Sequence, residues 1–76
     1  MANGPKELVE FIARAIVDDP DAVRVVETDG GRMLELETSD EDRGRVIGRQ
    51  GRVAKAMRAV LAASSHGASM RLEIVD

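Results

Sequence analysis

The 76-residue chain has no cysteine, tryptophan or tyrosine, and its only rings are those of Phe11 and His66. Without cysteine there is no disulfide staple, and one histidine alone offers no Cys/His zinc site. The near absence of aromatics disfavours any nucleic-acid mode built on stacking platforms. No stretch approaches the roughly 18 apolar residues that a membrane span requires. The first residues, Met1 to Lys6, lack the basic head and apolar run of a secretory signal. These absences lead us to expect a soluble, cytoplasmic chain, and the lack of cysteine agrees with a reducing compartment. A domain of this size covers only about 60% of the surface its unfolded chain exposes. Its stability must come from aliphatic packing, and a partner chain is a physical expectation.

What the sequence does hold is an uneven distribution of charge. Eleven Lys and Arg stand against 14 Asp and Glu, a net charge of −3. The sixteen residues from Arg43 to Arg58 contain six positive charges and no negative one, so the other 60 residues carry 5 basic and 14 acidic groups. A local excess of +6 on a chain that is otherwise −9 points to a confined polyanion site.

Leu8, Ile12, Ala15 and Ile16 recur at helical spacing between Pro5 and Val17, with Val9 and Phe11 broadening the stripe. Pro5 suits a first helical turn. Three carboxylates and Pro20 in the segment 18–21 end that helix. A strand is expected over Ala22–Thr28, and Asp29, Gly30 and Gly31 supply the positive φ angles of a tight hairpin. The return strand, Arg32–Thr38, places Leu34 and Leu36 on one face and Glu35 and Glu37 on the other. Ser39 or Asp40 caps a short helix over 41–47, Gly48 to Gly51 interrupts it, and a further helix runs over 52–64. Val53, Met57, Val60 and Leu61 form the apolar side of this last helix. Ser65, His66 and Gly67 close it, with Gly67 as a left-handed cap. The final strand, Ser69–Val75, turns Met70, Leu72 and Ile74 inward.

The resulting order is α-β-β-α-α-β in one domain over residues 1–76. The fold class is α+β, a three-stranded mixed sheet with three helices packed on one face. The hairpin strands are antiparallel, and the last strand joins the second in parallel through a right-handed crossover.

Gly48-Arg49-Gln50-Gly51 carries the chemistry. Two glycines around two polar residues, set between helices, let the backbone turn sharply with no Cβ over the amides. A phosphate can then approach main-chain N–H groups backed by the positive end of the following helix. Arg49 and Gln50 at the tip, with Arg45, Arg52 and Lys55 around them, supply charge and directional donors. Bases would extend into a groove beside the sheet edge, where Val46, Ile47 and Val53 offer aliphatic contact. The blander readings are a structural turn and a solvated cationic face, but a packing turn does not call for an all-positive surround. A nucleotide-hydrolase phosphate loop is excluded by the missing Gly-Lys-Ser/Thr ending. His66 has no catalytic or metal-ligating partners in the pattern, and the paired acids at 35, 37 and 40–42 are accounted for by strand alternation and a helix start. No enzyme reading holds weight, and no metal or cofactor is expected.

Val46-Ile47-Gly48-Arg49-Gln50-Gly51, lying between two helices, resembles the signature of the KH domain, whose GXXG loop holds four nucleotides of single-stranded nucleic acid. The extra α-β ahead of the β-α-α-β core resembles the type II, bacterial form, and the size is similar to that of the small single-domain KhpA family. The resemblance implies RNA binding in the cytoplasm, service as an RNA chaperone or post-transcriptional regulator, self-association, and pairing with a larger multidomain KhpB-like KH protein. The alternative is a protein-interaction module that uses the helix pair and the small residues Ala54, Ala56, Ala59, Ala62 and Ala63, with little RNA binding of its own.

Overall fold

The computed structural model describes residues 4–64 and 69–75. Helix α1 (Pro5–Ile16) leads through a short turn to a hairpin of strands β1 (Arg24–Thr28) and β2 (Met33–Glu37). Helices α2 (Asp40–Ile47) and α3 (Arg52–Ala63) follow, and strand β3 (Arg71–Ile74) ends the fold. The expected element order and fold class are observed. The three-stranded sheet has the order β1-β2-β3. β1 and β2 are antiparallel with Val25 opposite Leu36, and β2 and β3 are parallel with Leu34 opposite Leu72. The expected closing cap at Ser65, His66 and Gly67 lies outside the described residues.

Alternation along the strands gives the sheet one buried face, because successive side chains point to opposite sides. Val25, Leu34, Leu36 and Leu72 meet Val9 and Ala13 of α1, Val46 of α2, and Met57 and Leu61 of α3 in a single core. Full burial of each Leu contributes roughly 1.5–3 kcal/mol. The turn Asp29–Gly31 takes three successive positive φ angles, 54°, 65° and 86°. Only the first falls on a residue with a side chain, and aspartate tolerates that region better than most.

The apolar stripe of α1 is shifted from its expected face, and that of α3 differs from expectation at Val60. On α1 the buried line runs through Val9 and Ala13, while Ala15 and Ile16 are exposed and Phe11 is 74% exposed. Ala13 is fully buried in the core cluster, where its small side chain lets the helix pack closely. On α3, Val53, Met57 and Leu61 pack in or against the core, whereas Val60 is 44% exposed and Ala54 is buried. The hydrophobic spacing was compatible with either rotation, and side-chain size at the contact decides between them.

Asp42 anchors the segment between α1 and the hairpin. Its side chain is buried at the third position of α2, where one carboxylate oxygen accepts the Asp18 amide at 3.1 Å. The other accepts the Asp19 amide at 3.0 Å and the Ser39 hydroxyl at 3.0 Å. Ser39 caps the helix by accepting the Asp42 amide at 3.3 Å, so the two side chains satisfy each other in a variant of the capping box. The Asp18 amide is the largest influence on the Asp42 carboxyl. Burial opposes it, and the Asp19 amide, Ser39 and the Arg45 charge reinforce it, holding the group below its ordinary value of 3.8. A carboxyl whose folded pKa is depressed adds stability above its unfolded pKa of about 4 and loses it as pH falls through the folded value. We therefore predict that the thermal midpoint falls more steeply below pH 4 in the parent chain than in Asp42→Asn, and that the variant is the less stable of the two at pH 7. Parallel melts across pH 2–7 check both statements.

Candidate nucleic-acid interface

The chain between α2 and α3 is held by a contact that excludes any side chain at Gly48. Its angles, φ 78° and ψ 168°, fall in a region essentially reserved for glycine. A Cβ there would lie 2.5 Å from Val53 Cγ2 and 2.8 Å from the Val53 amide nitrogen. Gly51 is different: its φ is 74° in the left-handed region, but nothing stands within 4 Å of where a Cβ would be. Gly48 is thus required by packing and conformation, and Gly51 by conformation alone. Between them Gln50 also has a positive φ, 57°. The Gly48 amide donates to Gly44 at 2.8 Å and closes α2, and the Gly51 amide donates back to the Gly48 carbonyl at 3.0 Å. The Arg52 amide is taken by the Arg49 carbonyl. This bonding occupies the amides of Gly51 and Arg52, and among the described residues those of Arg49 and Gln50 have no backbone acceptor.

The cations divide into two groups. Arg43 pairs with Asp40 at 2.7 Å, and Arg45 pairs with Asp18 at 2.8 Å and with Asp42 at 3.4 Å. Arg45, expected at the RNA site, has its charge committed to the acidic segment behind the loop. Among the described residues Arg49, Arg52, Lys55 and Arg58 have no acidic partner, and all four are exposed. Arg52 makes one long contact, 3.4 Å, from Nη2 to Gln50 Oε1. Within residues 43–58, the positive charge without an acidic partner therefore lies at the loop tip and along α3.

The aliphatic residues expected to touch bases divide in the same way. Val46 is fully buried in the core, which corrects its expected contact with a base: it faces the sheet on α2 and anchors the loop from below. Ile47 is 37% exposed, and Val53 is half-buried against Gly48. Two tertiary contacts escaped the sequence reading: the Asp42 carboxylate on the Asp18 and Asp19 amides, and Arg58, which donates from Nε and Nη2 to the Leu72 carbonyl of β3 at 3.2 Å each. The spacing from Ser39 to Asp42 carried the capping-box signal for the first, whereas the second joins α3 to β3 and left no local trace.

The two glycines should respond unequally to substitution. Gly48→Ala adds the clash with Val53 to a backbone cost of about 1–3 kcal/mol, whereas Gly51→Ala carries only the left-handed penalty of roughly 1–2 kcal/mol. Urea unfolding of both variants measures the order, and equal losses would contradict the packing role of Gly48.

A family model described as the KH domain of KhpA/KhpB matches residues 6–74. The chain is 52% identical over 75 residues to a protein of Halalkalibacterium halodurans named RNA-binding protein KhpA, covering 93% of this chain and 99% of that one. It is 44% identical over 80 residues to the protein of that name in Treponema pallidum, covering all of both chains. The Streptomyces coelicolor protein of that name is 41% identical over 73 residues, covering 93% of this chain and 91% of its own. No solved structure matches. The family model spans the sheet, the three helices and the glycine-bounded turn, and the element order fits the type II form, so the chain belongs to the KhpA/KhpB family of KH domains.

Proposed function

We propose that this protein is a non-catalytic, single-stranded RNA-binding module that holds the RNA backbone at Gly48–Gly51. The observation that carries the reading is the coincidence of the glycine-constrained turn with cations that have no acidic partner. A phosphate placed at the tip receives the Arg49 and Gln50 amides. The positive end of α3 lies behind it, and Arg49, Arg52 and Lys55 surround it. Gln50 supplies a donor and an acceptor for a ribose hydroxyl, while Ile47 and Val53 border the path of the bases. The relatives' shared name, RNA-binding protein, supports the same assignment. Action in the cytoplasm as an RNA chaperone or post-transcriptional regulator, alone or with a larger multidomain KH partner, extends this proposal.

A second role, self-association, is favoured by the apolar surface left on the helices. Val60, Ala56, Ala59, Ala62 and Ala63 of α3 are exposed, as are Phe11 and Ala15 of α1. Ala54 is buried in the fold and takes no part, which corrects its expected place in such an interface.

Replacing Arg49 and Gln50 together by Asp is expected to leave the far-ultraviolet spectrum unchanged and to abolish binding of a labelled mixed-sequence RNA. Undiminished binding by the folded variant would remove the clamp. With two or three phosphate contacts, the affinity of the parent chain should fall roughly 25- to 130-fold over a tenfold rise in salt. For the second role, light scattering should show mass rising with concentration, and Val60→Asp should hold the chain monomeric. A monomer at all concentrations would exclude self-association.

A further inference from the structure

The turn between β1 and β2 carries a side chain that neither the core nor the cationic surface uses. Asp29 is the one aspartate in the chain that is followed by glycine. Its φ of 54° lies in the left-handed region, which L side chains rarely adopt. Asp29, Gly30 and Gly31 are all exposed, and nothing stands within 4 Å of where a Gly30 Cβ would be. Among the described residues the Asp29 carboxylate has no ion-pair or hydrogen-bond partner, and the Gly30 amide has no backbone acceptor. The turn is closed by the Arg32 amide, which donates to the Asp29 carbonyl at 3.2 Å. The other described aspartates are placed differently. The amides that follow Asp18, Asp21 and Asp42 are bonded to Asp42, Asp19 and Ser39. Asp19 precedes Pro20, which has no amide proton, and Asp40 lies in α2 paired with Arg43.

We propose that Asp29 is a site of spontaneous backbone modification, where the Gly30 amide closes on the side chain, the residue converts to isoaspartate, and the hairpin is weakened. The Gly30 nitrogen bonds to Asp29 Cγ and gives up its proton. One carboxylate oxygen leaves as water with that proton and a second from solvent, which forms a cyclic succinimide. Water then opens the ring and the proton taken from solvent is returned. Opening at Cγ restores aspartate, and opening at the main-chain carbonyl leaves the chain running through Cβ and Cγ. No oxidant or co-reactant enters, and the mass is unchanged. The product has an extra main-chain atom, which releases it from the left-handed restriction at Asp29, so the strain of the turn favours conversion. The cost falls on the hairpin. The carbonyl that accepts the Arg32 amide becomes a carboxylate on a side branch, and the bond that closes the turn is lost. The Arg32 carbonyl holds the Arg71 amide of β3 at 2.9 Å, so the loosened turn adjoins the junction of β2 with β3.

The test ages the folded chain at physiological temperature and pH and digests samples with trypsin, which cuts after Arg14, Arg24, Arg32 and Arg43. The peptide 25–32 holds Asp29 and no other aspartate, 15–24 holds Asp18, Asp19 and Asp21, and 33–43 holds Asp40 and Asp42. Asn3, which also precedes a glycine, falls in a separate peptide. An isomer of unchanged mass, resistant to an aspartate-specific protease, is expected to accumulate in 25–32 and to be absent from the other two. Asp29→Asn should give the same isomer faster, because ammonia is the better leaving group. Asp29→Glu would need a larger ring and should give none. The converted parent should melt about 4–8 °C below its fresh sample, the response of a domain this size to losing one hydrogen bond. Asp29→Glu, aged alongside, should keep its fresh midpoint. No isomer in 25–32, or equal amounts in all three peptides, would overturn the proposal. So would an isomer that forms only after urea unfolds the chain, since the folded turn would then protect Asp29. Full conversion with an unchanged midpoint would overturn the weakening of the hairpin.

Discussion

The rest of the structure depends on the absence of a side chain at Gly48. Because Val53 occupies the space where a Cβ would stand, α3 can begin directly against the end of α2. That close approach sets the direction in which the Arg49 and Gln50 tip projects and brings Arg52 and Lys55 into the following turn. It also joins the loop to the core, since Val53 packs against the cluster that includes Val46 and Met57. A turn built in this way is rigid for a packing reason, and rigidity limits the ordering that a bound phosphate chain would have to impose.

Charge is separated on this frame in a way that net charge conceals. The acids of the α1–β1 connection and of the first turn of α2 neutralise Arg43 and Arg45, and Asp42 uses its carboxylate to fix that connection in place. The cations from Arg49 to Arg58 have no acidic partner among the described residues. On the outer sheet face Glu35 stands opposite Glu73, a like-charge pair whose mutual repulsion is a small cost to the fold. The same field disfavours a phosphate chain on that side.

Much of this was legible in the sequence. Strand alternation identified the sheet face, Asp29 to Gly31 the hairpin, and the glycine pair within an all-positive stretch the turn between helices. Local chemistry sufficed for these because each is determined by residues adjacent in the chain. Helix rotation was not legible, since Phe11 and Val60 satisfy the apolar period as well as Ala13 and Ala54 do. The choice rests on tertiary packing. For the same reason, the surroundings of Val46 and Arg45 were not legible. A valine next to the motif and an arginine near it look like ligand contacts in one dimension, yet the first faces the core and the second faces Asp18. The Arg58 contact with Leu72 is wholly tertiary.

The central proposal is that RNA is held at the Gly48–Gly51 turn and the start of α3. Amide chemical shifts followed during titration with a short single-stranded RNA test it residue by residue. The account predicts the largest changes at Arg49, Gln50, Arg52 and Lys55, with Glu35 and Glu37 unmoved. Changes centred on the outer sheet face or on Phe11, with the turn silent, would contradict it.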